Sequence, residues 1–303
     1  MPSATLTYPT HFFKYCTADV AKIVLATSRV RWSSPTLFND PFDCYFSLEP
    51  KFDLAACQQE HRDRFVDVMF QEVEPAFVSG NPLVPQIREL RKMAQGETRE
   101  EMARRFDVVY SSIVKGVEAL SREEREVWKQ QSRDYRLFCV CEINDNLLLW
   151  SHYAACHTGV AFQFECIDDL DVPLLAALPV TYADVVPGLA DKEEIIEHSL
   201  GLRGAESPVN LWKRLVTTKA RCWEYEKEWR VITTRRDYEN DGYEDCRFSP
   251  REISKVFLGA RIAQADKDDI LRLLTGPFGH VEVCQAKQNP KMYRLDFDQV
   301  RQS

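Results

Sequence analysis

The sequence lacks the features that mark several common classes of protein. Its 303 residues contain no apolar run of about 18 residues without charges, which argues against a transmembrane helix. The first residues show no basic segment followed by an apolar run, so we expect no secretory signal. Ten cysteines are too few for a disulfide-rich scaffold of this length, and we expect mostly reduced cysteines in a cytoplasmic protein.

Motifs of several enzyme classes are also absent. The chain has no G-x-x-x-x-G-K-[ST] phosphate loop, no G-x-G-x-x-G dinucleotide motif and no H-E-x-x-H zinc motif. The G-x-S-x-G motif of serine hydrolases is missing as well. These absences remove the main sequence support for nucleotide hydrolases, dehydrogenases and zinc peptidases.

A metal centre has little support in the sequence. The candidate soft ligands lack a C-x-x-C motif and the paired spacing of a zinc site. Cys139 and Cys141 fit the alternation of a strand, where cysteine is an ordinary buried residue. We therefore expect no metal at the candidate ligands Cys139, Cys141, His152, Cys156 and His157.

Acidic residues outnumber basic ones. The chain has 47 Asp and Glu against 39 Lys and Arg, a net charge of −8 and a pI near 5.4. Broad electrostatic binding of nucleic acid requires a basic surface, so we expect no such surface, although a local basic groove remains compatible with this charge. The apolar fraction of 45% and the charged fraction of 28% are typical of a folded globular protein.

Hydrophobic periodicity predicts an α+β fold with a mixed, mostly antiparallel β core, and we expect one domain over residues 1–303. Residues 51–135 are charge-rich and helical in period, which predicts a helical insertion within that domain. The strands are predicted at residues 6–15, 30–33, 136–142, 160–165, 178–182, 255–259, 280–284 and 293–297, and the other helices near 18–28, 147–156, 191–200, 208–219 and 264–275.

Residues 222–232, CWEYEKEWRVI, alternate charged with aromatic side chains. Alternation predicts a strand, which would place Glu224, Glu226, Glu228 and Arg230 on one face. Neighbouring like charges destabilise a strand, so such a face is expected to meet a cation, a buried arginine or a polar substrate. The alternative is an edge strand that its charges keep soluble.

Two other segments are dense in polar and aromatic residues. FNDPFD at residues 38–43 places Asn39 and Asp40 before a proline, which predicts a turn. LWSHYAACHTG at residues 149–159 predicts a short helix and a sharp turn at Gly159. Either segment also fits a structural role, as a turn or as a core helix. The candidate binding residues in the second segment are Trp150, Ser151, His152, Tyr153 and His157.

Taken together, the three motifs resemble one bacterial family, which is catalogued as domain of unknown function 2971. The likeness begins with Lys14-Tyr15 and covers nearly the whole chain except about residues 51–130. The order of the parts more distantly resembles the ADP-ribosyltransferases, which act on NAD. Those enzymes have an early strand with a polar residue, a second strand with Ser or Tyr, and a late strand with an essential Glu, often within E-x-E.

The corresponding positions in this chain are Lys14-Tyr15, Ser33-Ser34 and Glu226-Lys227-Glu228. The resemblance implies an ADP-ribosyltransferase-like split sheet and NAD as a substrate. It also implies cleavage of the nicotinamide glycosidic bond and transfer of ADP-ribose to an unknown acceptor, protein or nucleic acid, in a toxin or anti-phage setting. No membrane is expected as a partner.

The resemblance also implies roles for individual residues. Glu228 would stabilise the positive charge that develops on the ribose, and Glu226 would orient or deprotonate the acceptor. Aromatic rings would stack on nicotinamide or adenine, and basic groups would contact the pyrophosphate. The residues expected to contact NAD are Lys14, Tyr15, Ser33, Asn39, Asp40, Trp150, Ser151, His152, Tyr153, His157 and Arg230.

Three other functions remain open from the residues alone. A metal-dependent nuclease would use His152, His157 and the carboxylates as acid, base and ligands. A sensor would bind a nucleotide in the same pocket without turnover. A structural network of paired Glu, Arg and His would have no ligand.

Overall fold

The computed structural model describes residues 8–45, 52–110, 132–188, 190–204, 207–236 and 242–301. These residues confirm an α+β fold with a mostly antiparallel sheet. None of the helices in these ranges is long and apolar enough to cross a membrane.

The chain divides into two compact units. The sheet unit comprises residues 1–43, 132–184 and 219–303, and the helical unit comprises residues 44–131 and 185–218. One domain with an insertion at 51–135 stays a prediction, because compactness alone does not show whether either unit folds independently.

Twelve strands lie within the described ranges. They are β1 (His11–Cys16), β2 (Arg29–Ser33), β3 (Tyr135–Cys141), β4 (Val160–Glu165), β5 (Leu178–Pro179), β6 (Thr181–Ala183), β7 (Thr218–Ala220), β8 (Glu228–Thr234), β9 (Tyr243–Arg247), β10 (Ile253–Leu258), β11 (Glu282–Gln288) and β12 (Leu295–Arg301). Strands β6 and β7 pair with each other, and the others form one sheet. Strand β9 was not predicted, because its sequence YEDCR carries no apolar alternation.

Eight α-helices lie within the described ranges. In chain order they are α1 (Ala18–Thr27), α2 (Leu54–Phe70), α3 (Val84–Ala94), α4 (residues 99–110), α5 (Leu147–His152), α6 (Lys192–Ser199), α7 (Pro208–Val216) and α8 (Gln264–Leu273). The spacing of Ser121 and Glu124 predicts a capping box and a further helix after α4, and these residues lie outside the described ranges.

The order β12-β11-β10-β4-β1-β3-β2-β9 describes most of the sheet. Among its described residues, only β10 and β11 pair in parallel. Strand β3 pairs along its length with β8. On its other edge, β3 meets β1 at Cys141 and β2 at Leu137. The sheet therefore forks between β1 and β2, and Cys139 lies between the two points of pairing.

Alternation along β1 divides the core of the sheet unit into two layers. Phe12 joins a cluster that includes apolar residues of α1 and α8. Phe13 and Tyr15 join a second cluster with Leu149 and Trp150 of α5. Burial of each large side chain contributes roughly 1.5–3 kcal/mol. The two clusters therefore hold β1 between α1 and α8 on one face and α5 on the other.

The helical unit has a core of its own. Residues of α2, α3, α4 and α6 form one buried cluster, which includes Met69, Ile87, Met102 and Ile196. Helix α3 has the bounds that the helical period of VPQIRELRKMA predicts, and its Pro85 lies in the first turn, where the helix requires no backbone N–H donor.

Candidate active site

A cavity of about 370 Å³ lies in the fork of the sheet. Strand β1 contributes Lys14 and Tyr15 to its lining, and β3 contributes Cys139. Glu226 and Glu228 also reach this space, so the late carboxylates and the early strand meet. Pockets of a few hundred Å³ with a few convergent polar groups are typical of small-molecule sites.

The prediction of one strand over residues 222–232 is wrong in its first half. Residues Arg221–Glu226 form a 3₁₀ helix, Lys227 has a left-handed φ of 45°, and β8 begins only at Glu228. A 3₁₀ helix has three residues per turn, so Trp223 and Glu226 lie on the same side. The four charged residues therefore do not share one face, and Glu224 is exposed.

Lys219 lies at the centre of the buried charges. Its Nζ donates to Glu226 Oε2 at 2.6 Å and to Glu228 Oε2 at 2.9 Å, and Asp43 Oδ2 lies 3.5 Å away. The ring of Trp223 lies 4.9 Å from the same ammonium. The ammonium thus occupies the point on which three carboxylates converge.

Arg230 holds the network from the other side. Its guanidinium has no exposed surface and donates from Nε to Glu228 Oε1 at 2.7 Å. Its Nη2 donates to Glu228 Oε2 at 3.1 Å and to Asp43 Oδ2 at 2.8 Å. The carboxylate of Glu228 thus accepts three hydrogen bonds from Arg230 and Lys219. A carboxylate has about four acceptor positions, so one remains within the described network.

The two glutamates have pKa values that shift in opposite directions. Burial alone would raise the pKa of Glu228, but the charges and hydrogen bonds of Arg230 and Lys219 outweigh burial and lower it. For Glu226, burial raises the pKa and the charge of Glu228 raises it further, while Lys219 acts in the opposite direction. Glu228 is therefore the fixed anion and Glu226 the carboxyl group better suited to exchange a proton.

Aromatic side chains line one wall of the site. The Tyr153 hydroxyl donates to Glu226 Oε1 at 2.6 Å, and burial raises the pKa of Tyr153. A hydrogen bond of 2.9 Å joins His152 Nδ1 to the hydroxyl of Tyr225. These two hydrogen bonds join the segment of residues 149–159 to the 3₁₀ helix Arg221–Glu226.

Lys14 is a cation of the fork that has no carboxylate partner among the described residues. Its Nζ donates to the carbonyl of Cys139 at 2.7 Å, on the edge of β3 between its pairings with β1 and β2. No carboxylate among the described residues pairs with this ammonium. Arg31, in contrast, is paired with Asp245 at 3.1 Å. An ammonium has three donors, so Lys14 retains capacity to bind an anion in the cavity.

The fork brings together eight of the thirteen residues that the resemblance assigned to catalysis or to contact with NAD. Those that line the cavity are Lys14, Tyr15, Ser33, Asn39, His152, Tyr153, Glu226 and Glu228. Asp40, Trp150, Ser151, His157 and Arg230 do not line it. Trp150 is fully buried and donates from Nε1 to the carbonyl of Asn144, and Arg230 lies behind Glu228.

Sequence reasoning missed two central residues. Asp43 is the last residue of the FNDPFD motif, and this position in a turn predicted no role. Lys219 lies in the short strand β7, in the sequence TKA, and no motif indicates it. Both are buried charges, and only the fold reveals burial.

The turn after α5 explains why its helix ends early. Ala155, Cys156 and His157 have φ values of 47°, 53° and 69°, a run of left-handed residues that ends the helix predicted to continue to residue 156. His157 N donates to the carbonyl of Trp150 at 3.0 Å. Gly159 follows, and a Cβ there would lie 2.1 Å from the carbonyl oxygen of Cys16.

We therefore expect Gly159→Ala to lower the free energy of unfolding by about 1–3 kcal/mol, because the added methyl group must displace a backbone atom. The urea midpoint measures the loss. Gly96→Ala is a control, because its Cβ would meet only the Met93 carbonyl oxygen, at 4.0 Å. Equal midpoints for Gly159→Ala and the wild type would contradict the close approach of Gly159 to the carbonyl oxygen of Cys16.

Comparison with known proteins gives one match. Residues 149–231 match the model of a family described as "Protein of unknown function (DUF2971)". The matched range contains the motif at residues 149–159 and the two glutamates, and it supports the predicted resemblance to this family. No curated protein and no solved structure matches the chain. These comparisons give no support to the resemblance to ADP-ribosyltransferases, which stays a prediction.

Proposed function

We propose that this chain is an enzyme that cleaves the bond between nicotinamide and ribose in NAD and transfers ADP-ribose to an acceptor. The observation that carries the proposal is the pair of buried glutamates at the cavity, with pKa values shifted in opposite directions. Two carboxyl groups in different electrostatic environments are the usual equipment for glycosidic-bond chemistry.

The proposed reaction assigns a different task to each glutamate. The bond from ribose C1′ to the nicotinamide nitrogen breaks, and its electrons leave with neutral nicotinamide. Positive charge grows on the ribose, and the Glu228 anion stabilises that charge through an acceptor position that remains on Oε1. As nicotinamide leaves, the acceptor forms the new bond at C1′ and gives its proton to Glu226, whose raised pKa suits a general base.

The surroundings of the glutamates support a nucleotide substrate. Lys14 offers free N–H donors to an anionic group, which matches the pyrophosphate of NAD. Tyr153 and His152 offer ring faces at the same cavity. The fork between β1 and β2 supports, as part of this proposal, a split sheet like that of ADP-ribosyltransferases.

The first experiment is titration calorimetry with NAD, followed by measurement of nicotinamide release. We expect saturable binding by the wild type, with slow release when water is the acceptor. Lys14→Met should weaken NAD binding by about tenfold or more, because a charge-assisted hydrogen bond contributes roughly 1.5–3 kcal/mol.

Lys22→Met is the matched control. It removes the same charge from the sheet unit, but Lys22 lies outside the cavity and pairs with Asp19 and Asp266. No binding of the wild type at millimolar NAD would overturn the proposed function. Binding without release, even with candidate acceptors, would favour a sensor of the nucleotide.

A further inference from the structure

A second cavity in the sheet unit, of about 590 Å³, lies beside the loop between β11 and β12. We call it the hairpin groove. Its basic residues are Arg261, Lys291 and Arg294, and no Asp or Glu is among the described residues that line it. In a chain of net charge −8, this is a local concentration of positive charge.

Two of the three cations have no acidic partner. Arg294 pairs with Asp296 at 3.2 Å, and both side chains are about half exposed. Within the described part of the chain, neither Arg261 nor Lys291 forms an ion pair. These two groups are therefore available to an external anion. Arg294 is available as well, because an exposed ion pair such as Arg294–Asp296 is weak and competes little with a bound anion.

Exposed apolar side chains lie next to these charges. Tyr293 is fully exposed and Met292 is 59% exposed. A fully exposed tyrosine beside two basic residues presents a ring face and cations to the same ligand. This combination is typical of surfaces that stack bases and contact phosphates.

The loop that carries these residues is held in shape. Asn289 Oδ1 accepts from the backbone N–H groups of Lys291 and Met292 at 2.9 and 2.8 Å, and Asn289 N donates to the carbonyl of Arg294 at 3.1 Å. Asn289 Nδ2 also donates to Asp296 Oδ2 at 2.7 Å. Because the loop is already ordered, a ligand need not order it on binding.

We propose that the hairpin groove binds a single-stranded nucleic acid, with Arg261 and Lys291 at phosphates and Tyr293 stacked on a base. The charge of the groove selects a polyanion, and the exposed ring selects a base-bearing polyanion over an acidic peptide. Binding here requires no NAD and is therefore independent of the proposed function.

The test is fluorescence anisotropy with labelled single-stranded RNA and DNA oligonucleotides at low salt. We expect dissociation constants on the order of 1–100 μM for the wild type. Tyr293→Ala should weaken binding by about fivefold or more. The double variant Arg261→Ala/Lys291→Ala should also reduce the slope of log K against log salt by about 1.4, since each phosphate contact contributes about 0.7.

Lys287→Ala is the matched control, because Lys287 is an exposed lysine of β11 that pairs with Asp298 and does not line the groove. Its affinity and salt slope should equal those of the wild type. The proposal is overturned if neither oligonucleotide binds below about 100 μM. It is equally overturned if the groove variants bind like the wild type, or if a polyglutamate peptide binds as tightly as the oligonucleotides, which would indicate an acidic protein partner.

Discussion

Replacing Arg230 with methionine should lower the free energy of unfolding by about 3–5 kcal/mol. Within the described network, three carboxylates, Asp43, Glu226 and Glu228, contact two cations. The variant removes one of these two cations. A buried carboxylate that loses its partner still bears the desolvation cost of burial, and methionine offers it no hydrogen bond in return.

The loss in Arg230→Met should depend on pH in a defined direction. Arg230 and Lys219 together hold the pKa of Glu228 below its ordinary value of 4.5, against the effect of burial. A carboxyl group with a lowered folded pKa contributes stability above its unfolded pKa, and that contribution is lost as the pH falls through the folded pKa. The difference between wild type and variant should therefore be largest near neutral pH and shrink below about pH 4.5.

Urea unfolding followed by tryptophan fluorescence measures both effects. Arg221→Met is the control, because Arg221 forms an exposed ion pair with Asp184 in the same unit. Its midpoint should differ little from that of the wild type. A wild-type midpoint for Arg230→Met at pH 7 would show that the buried network does not stabilise the fold.

The sequence predicted the elements around the site better than the site itself. Hydrophobic patterning located β1 and β4, and each of these strands buries side chains on both faces of the sheet. The same rule failed over residues 222–232, where charged and aromatic residues alternate without forming a strand. There the ion pair of buried Glu226 with Lys219 favours a 3₁₀ helix over the strand that the local pattern predicts. Tertiary contacts thus override local propensity.

The charge network was beyond prediction for a physical reason. Lys219 and Asp43 are far apart in the sequence and meet only because the fork places their elements side by side. A pattern in one segment carries no information about a partner that another segment supplies. The motif at residues 149–159 was easier, since His152 and Tyr153 lie within it, yet His157 and Trp150 serve its turn and the core instead.

The segment from Leu147 to His157 links the two proposed binding places. His152 and Tyr153 face the cavity of the fork, while Leu147 and His157 line the hairpin groove. One short helix and its left-handed turn thus contribute to both. If both proposals hold, a nucleic acid bound in the groove is the natural candidate for the acceptor, and NAD turnover should rise when the oligonucleotide is added.

Glu226→Gln should reduce the rate of nicotinamide release by about a hundredfold or more, with little change in NAD affinity. The amide cannot accept the proton of the acceptor, but it keeps the shape of the side chain. In contrast to Arg230→Met, this change leaves two carboxylates with two cations, so every buried charge of the network keeps a partner and the fold should be retained. The wild-type rate should rise with pH as Glu226, with its raised pKa, becomes ionised.

Glu224→Gln provides the matched control for this test. It makes the same chemical change in the same 3₁₀ helix, at an exposed residue that does not line the cavity. Single-turnover release of nicotinamide, together with calorimetry and the urea midpoint, separates chemistry from binding and folding. A wild-type rate for Glu226→Gln would remove Glu226 from the chemistry. Loss of the fold in that variant would instead assign the glutamate to the structural network.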